Sequence, residues 1–347
     1  MKAGLVGYAQ TGKTTLFNAL TGLTAQTGAA GRGSKANLGV IRVPDARIDK
    51  LSSIFKPRKT IYAEVHFVDV PGPRAKGSGL DAATIQALQG VDALAVVLRG
   101  FPSEDGTVAD PIRELADFDT ELLLNDQIVI ERRLERMKKE KGREREQAAL
   151  EKCFAELGAE RALRGFSLPA DEERELASYS FLSRRPLLAV VNVPEADAAS
   201  AVAEPLAKAA AARGVEIVSI CASIEAEIAR LPTAEQADFL ASMGIAEPAA
   251  ARFIRGAYKL LDYVSFFTVG EDEVRAWTIR RGDKAPRAAG RVHSDIERGF
   301  IRAEVMPCDM FVEVGTEAKM RELGKLRVEG KDYVVHDGDI VNFRFNV

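Results

Sequence analysis

The stretch GYAQTGKTTLF, residues 7–17, decides the fold of this chain. Gly7, Gly12, Lys13 and Thr14 fit the pattern G-x-x-x-x-G-K-[ST] in full. Such a loop must turn tightly and bring backbone N–H groups against phosphate oxygens, which requires glycine at fixed positions. The spacing assigns Gly7, Gln10, Thr11, Gly12, Lys13, Thr14 and Thr15 to nucleotide binding. Lys13 reaches the β- and γ-phosphates and is the first catalytic candidate, and the Thr14 hydroxyl is a Mg²⁺ ligand. The flanks agree. AGLVG before the loop reads as a short buried strand, TTLFNALTG after it as a helix with Leu16, Phe17 and Leu20 on one side, and Gly22 stands where a helix stop belongs.

Outward from the loop, AEVHFVDVPG reads as a strand ending at Asp69, followed by Gly72. A carboxylate at a strand end can hold a Mg²⁺-bound water, and a glycine amide there can sense a γ-phosphate, so Asp69 is a metal candidate and Gly72 a catalytic one. His66, inside the strand, reads as a half-buried structural histidine. ALAVVLRG, PLLAVVNV and VEIVSICAS continue a parallel α/β sheet. In guanine-specific relatives N-K-x-D follows the strand that here ends at Asn192, and its Asp accepts two hydrogen bonds from guanine. This chain reads Asn192-Val193-Pro194-Glu195 instead. Adenine has no N1–H donor, so the usual reason for a carboxylate there disappears. Asn192, Val193 and Glu195 are the base-site candidates.

At this point the chain resembles the YchF-type (Obg-like) ATPases, a branch of the translation-factor-related P-loop class. The resemblance runs nearly end to end through VPDARIDKLSSIFKP, FVDVPG, LEKC, SFLSRRPLL, CASIEAEIARL, IRGAYKLLDYVSFFTVGEDEVRAWTI, ERGFIRAEV and EGKDYVVHDGDIVNFRFNV. It implies ATP preferred over GTP, slow hydrolysis and association with ribosomes, beside the Mg²⁺ cofactor read from Thr14 and Asp69. It also implies an α/β P-loop NTPase (GTPase-like) domain with an inserted antiparallel helical hairpin and a C-terminal β-grasp (TGS) domain. The expected partition is 1–118 and 166–262 for the nucleotide domain and its helical linker, 119–165 for the hairpin, and 263–347 for the TGS-like domain.

The residues give the same parts. Leu123, Ile130, Leu134 and Met137 recur at helical steps from Thr120, MKKEKGRERE is a charged tip turning at Gly142, and Leu150, Phe154 and Leu157 form a returning stripe. Lys138, Lys139, Lys141, Arg143 and Arg145 in the tip invite RNA phosphates, diluted by glutamates that equally fit a solvated face. From Tyr263 onward short strands with Gly-Asp turns predict a small curled sheet. Arg280, Arg281, Lys284, Arg287 and Arg291 are its candidate ribosomal or RNA contacts, while Trp277 reads as core and His293 and His336 as structural.

Four departures from the family pattern bear on chemistry. The family loop G-x-P-N-V-G-K-S has Gln10 in place of the Asn that can help hold a monovalent cation. The Mg²⁺-binding Thr of the switch segment falls on Gly33, with Ser34 beside it as a substitute ligand. Pro73, followed by Arg74, occupies the water-orienting Gln position of other GTPases. The loop LRGFPSEDGTVADPIREL lacks the family's histidine, leaving Glu104 or Asp105 as stand-ins. The residues therefore predict a weak ATPase acting as a switch, with two alternatives: a GTP-binding protein of the same fold, or a nucleotide-gated ribosome- or RNA-binding module with negligible hydrolysis.

The totals set the outer limits. The 347 residues suffice for two or three domains, and a net charge of −3 leaves nucleic-acid binding to local patches, with no DNA partner expected. No apolar run approaches the roughly 20 residues of a bilayer span, so no membrane partner is expected. Cys153, Cys221 and Cys308 match no metal spacing and read as reduced structural thiols, which fits the cytoplasm.

Overall fold

The run before the phosphate loop forms β1 (Lys2–Val6), and the run after it α1 (Lys13–Thr21). The chain continues through β2 (Asn37–Arg42), α2 (Ala46–Phe55), β3 (Lys59–Ile61), β4 (Glu64–Asp69), α3 (Ala82–Gln89), β5 (Ala93–Arg99), α4 (Pro111–Met137), α5 (Glu144–Gly158) and α6 (Ala170–Leu176). Then come β6 (Leu187–Asn192), α7 (Glu204–Ala212), β7 (Glu216–Ile220), α8 (Ala222–Ile228), α9 (Thr233–Ser242) and α10 (Ala249–Leu260). The last part holds β8 (Tyr263–Thr268), β9 (Glu273–Arg280), α11 (Ala285–Val292), α12 (Ser294–Arg298), β10 (Phe300–Pro307), α13 (Cys308–Val314), α14 (Glu317–Glu322), β11 (Arg327–Glu329) and β12 (Asp339–Phe345). This computed structural model describes residues 2–22, 37–72, 79–103, 105–140 and 142–346.

Two compact units result, Met1–Ile41 with His66–Ala257, and Arg42–Val65 with Tyr258–Val347. In the first, a six-stranded sheet runs in the order β2-β4-β1-β5-β6-β7. From β4 through β1, β5 and β6 to β7, each strand pairs in parallel with the next. β5 and β6 are buried at every position, as strands covered on both faces must be. The register sets Leu5 beside Asp69, Arg99 beside Asn192, and Asn192 beside Ile220, so the carboxyl ends of five strands share one rim. In open α/β sheets this rim is where ligands bind.

The inserted hairpin is built on a helix longer than its stripe from Thr120 predicts. α4 spans 27 residues and begins at Pro111, with Asp110 accepting a hydrogen bond from the Arg113 N–H at 3.0 Å. Proline at the first helical position suits a start, since its missing N–H has no intrahelical partner there. Leu115, Phe118 and Leu122 pack α4 into the core of the sheet. Leu123, Ile130 and Met137 of the same helix join Leu150, Cys153 and Leu157 of α5 in a separate core. One helix thus belongs to two cores. Gly142 makes the turn at the tip with φ 78°, a backbone region that costs glycine little. The buried Asp126 carboxylate accepts from the Leu182 and Ser183 N–H groups at 2.9 and 2.7 Å, tying SFLSRRP onto α4.

The second unit is a six-stranded sheet ordered β11-β10-β12-β8-β9-β3. The antiparallel β8–β9 hairpin and the antiparallel β10–β12 pair meet through the parallel β12–β8 pair, and Ala285, Ala288 and Ala289 of α11 pack on the apolar face. This is a β-grasp arrangement. Its edge strand β3 comes from far earlier in the chain, with Lys59–Ile61 pairing in parallel with Glu273–Arg275. Residues 42–65, expected within the first part of the nucleotide domain, therefore group with the C-terminal sheet. Trp277 stacks on Phe266, donates to Thr268 at 2.9 Å and is overlain by Arg275 at 3.9 Å, a packed position with its ring faces in use. His293 caps α12 and His336 lies 3.1 Å from the Tyr333 hydroxyl, both within their own turns.

Candidate functional site

The loop after β1 turns through two left-handed residues, Gln10 at φ 63° and Gly12 at φ 81°, before α1 begins. A Cβ on Gly12 would lie 2.1 Å from Asn192 Nδ2, so both the positive φ and the neighbour demand glycine. Gly7 and Gly72 meet backbone to backbone. A Cβ on Gly72 would sit 1.7 Å from the Gly7 carbonyl oxygen, which brings the end of the β4 segment directly against the loop. The Thr84 hydroxyl donates to the Pro71 carbonyl at 3.1 Å and fixes that segment from α3.

Inside this frame the Lys13 ammonium donates to Asp69 Oδ1 as a short ion pair, with both side chains mostly buried. The two residues read from separate motifs thus come together. Asn192 is 5% exposed and works as a clamp. Its Nδ2 donates to the Thr11 carbonyl at 2.9 Å, and its Oδ1 accepts from the Ala222 N–H at 3.0 Å. The amide therefore joins the phosphate loop to the start of α8. Val193 is half-buried and bonded to Ile220 through its N–H at 2.8 Å, while Glu195 opens an exposed 3-10 turn, Glu195–Asp197. Thr14 and Thr15 lie half-buried on the first turn of α1.

Of the remaining expectations, Gly33, Ser34, Pro73, Arg74, Glu104 and Lys141 lie outside the described residues. Asp105 accepts from the Ser103 hydroxyl and from the Thr107 N–H at 3.0 Å. Those bonds, the Ser103 hydroxyl first, hold its carboxyl down at about 2. It caps its own loop. His66 is half-buried. At the hairpin tip Lys138 pairs with Glu135 and Arg143 with Glu146. In the C-terminal unit Arg281, Lys284 and Arg287 pair with Asp262, Asp332 and Asp283. These pairs reduce the positive charge each patch can offer to phosphate.

Two features escape sequence reasoning. Tyr8, a variable position of the loop motif, is 6% exposed and its hydroxyl reaches Glu121 of α4 at 3.4 Å. Burial, with the Glu121 and Asp117 carboxylates, pushes the phenol above its usual range, so it stays neutral. The Cys221-Ala222-Ser223 stretch, part of the runs VEIVSICAS and CASIEAEIARL, supplies the N–H that Asn192 holds, a role no local pattern marks.

A parallel sheet, a glycine-turned loop and a lysine–aspartate pair at the carboxyl rim define a P-loop NTPase of the GTPase type. Residues 2–133 match the profile of the family described as 50S ribosome-binding GTPase. Residues 263–346 match that of the C-terminal YchF-GTPase domain, described as a protein of unknown function. A protein of Escherichia coli O157:H7 described as ribosome-binding ATPase YchF is 39% identical over 362 residues, covering 100% of this chain and 99% of that one. A Bacillus subtilis (strain 168) protein of the same description is 37% identical over 368 residues, covering 100% of both. The structure of the Schizosaccharomyces pombe YchF GTPase superposes with a TM-score of 0.87 at 28% identity, over 99% of this chain and 97% of that one. The chain belongs to the YchF family.

Proposed function

We propose that the protein is a Mg²⁺-dependent nucleotidase that hydrolyses ATP slowly, prefers it to GTP, and uses the bound nucleotide as a switch on the ribosome in the cytoplasm. The observation that carries this reading is the convergence of Lys13, Asp69, Gly72 and the Asn192 clamp on one loop. The names of the relatives, ribosome-binding ATPases, point the same way. Lys13 would leave Asp69 for the β- and γ-phosphates, the backbone N–H groups of Gly7–Thr14 would cradle them, and the Gly72 amide would meet the γ-phosphate. Gly7, Gln10, Thr11, Gly12, Thr14 and Thr15 line that cradle, and Asn192, Val193 and Glu195 border the base.

The residues present suit Mg²⁺. Asp69 already accepts a cationic partner in Lys13, and the Thr14 hydroxyl adds a second hard oxygen, with Ser34 as a third candidate. Among the described residues no group of three or more His, Cys, Asp or Glu gathers as a metal cage. The ion would neutralise charge on the phosphates. Asp105 is committed to its own loop and Glu104 lies outside the described residues; Lys13 and the backbone donors would support a slow turnover.

The GTPase descriptions of the matching profile and of the fission-yeast structure keep GTP as the second reading. Competition titration with ATP and GTP in Mg²⁺ buffer separates the two, and GTP binding as tight as ATP would overturn the base preference. Single-turnover hydrolysis by wild type and Lys13→Ala tests the enzyme. A difference of about 100-fold or more is expected, and equal rates would leave a nucleotide-gated binding module. No helix among the described residues is long and apolar enough to cross a membrane.

A further inference from the structure

The two helices of the hairpin leave a groove between them of about 330 Å³, away from the nucleotide loop. Its walls carry Glu131 and Glu135 from α4, Lys138 at its C-cap and Glu151 from α5, and Leu134 and Phe154 are its apolar members. Both apolar side chains also pack on the hairpin core, so the surface they show is held rigid from below. Lys138 is paired with Glu135 at 2.5 Å, which leaves the carboxylates of Glu131 and Glu151 to set the sign of the mouth. Gln147 donates to Glu151 at 2.8 Å and steadies it without neutralising it.

The groove does not end at Glu131. Stepping back along α4 by three and four residues leads to Ile128 and Leu124, exposed by 45% and 52%. Residues at such steps share one helix face. Leu124, Ile128, Glu131, Glu135 and Lys138 therefore make one stripe, and its 14 residue steps span roughly 21 Å at helical rise. An apolar strip flanked by unneutralised carboxylates repels phosphate and attracts a cationic chain with apolar side chains.

We propose that this face of the hairpin is a docking surface for a basic, amphipathic segment of a partner protein. Apolar side chains of that segment would enter between Leu134 and Phe154 and cover Ile128 and Leu124. Its lysines or arginines would face Glu131 and Glu151. The inference is independent of the nucleotide reading, because none of these residues touches the loop.

Fluorescence anisotropy on the full-length protein tests it, with a labelled synthetic helix of about 14 residues carrying leucine at i, i+3, i+4 and i+7 and lysine or arginine elsewhere. Saturable binding is expected, weakened about tenfold by the charge reversals Glu131→Lys with Glu151→Lys and about tenfold when the peptide leucines become serine. Both glutamates are exposed, and circular dichroism confirms the variant's fold. Leu124→Ser with Ile128→Ser, at exposed positions, should weaken binding without reversing charge. Equal binding by wild type and both variants would overturn the proposal. So would a single-stranded RNA oligomer bound through the face, shown by loss of affinity in Leu124→Ser with Ile128→Ser. Self-association that the Glu131→Lys with Glu151→Lys pair abolishes would also overturn it, by making a second copy the occupant.

Discussion

Replacing Asn192 tests the clamp that holds the site together. Its amide satisfies the Thr11 carbonyl and the Ala222 N–H, on residues only 1% and 3% exposed, so water cannot readily replace it. Asn192→Ala strips both partners. Each buried group left unsatisfied costs about 1–3 kcal/mol, so the pair together costs roughly 2–6 kcal/mol. For a unit of this size that lowers Tm by about 4–24 °C. Asn192→Asp is the sharper probe. Its carboxylate still accepts from Ala222 but turns an oxygen toward the Thr11 carbonyl, so at pH 8 it should melt at least as low as the alanine variant. Protonation restores a donor toward Thr11, so the Asp variant should recover relative to wild type as pH falls toward 5, whereas the Ala variant should not. Differential scanning fluorimetry across pH, paired with nucleotide titration, reads both effects. If both variants melted within about 1 °C of wild type, or the Asp variant showed no recovery in acid, the clamp would carry no weight.

Gly72→Ala puts a methyl 1.7 Å from the Gly7 oxygen, which only backbone separation relieves, at about 1–3 kcal/mol. Calorimetry should show nucleotide affinity falling at least about tenfold, and unchanged affinity would contradict the contact. Glu225 is buried and accepts from the Ala249 N–H at 2.6 Å, and burial raises its carboxyl pKa. The folded state therefore holds that proton more tightly than the unfolded chain. The buried charge then costs stability as pH rises above the unfolded value of about 4.3 and through the folded pKa. Glu225→Gln should raise the chemical-denaturation midpoint at pH 8 more than at pH 4, and an equal or opposite change would refute the assignment. Burial pushes the Cys153 and Cys308 thiols to about 11 and about 12. Neither should react with a thiol reagent in the native protein at pH 8, while denaturant should expose all three cysteines. Rapid native labelling at either position would show that its burial is wrong.

The legibility of this chain follows the range of the interactions that build it. The phosphate loop, β1 and α1 were readable because their determinants are local: glycines where φ must be positive or backbones must meet, and an apolar stripe beginning at Leu16. β5 and β6 were readable because burial on both faces leaves an unbroken apolar run. The stripe of the hairpin is visible from Thr120 onward, but the roughly two and a half turns of α4 before it are not. Leu115 and Phe118 serve the sheet core, so the helix changes partners midway and its periodicity reads as two segments. The parallel pairing of β3 with β9 joins residues more than 200 positions apart, and a three-residue strand with one half-buried position carries no pattern to announce it. At the site, motif spacing brought Lys13 and Asp69 forward separately, and the sheet register unites them. The sequence points to Asn192 as a base contact because its motif follows a strand. Its bonds to Thr11 and Ala222 depend on two loops from distant parts of the chain arriving at one amide, and no local pattern encodes that meeting. Tyr8 was invisible for the same reason: its partner Glu121 lies 113 positions away on a helix whose polar residues look solvent-facing until the sheet core is assembled beneath them.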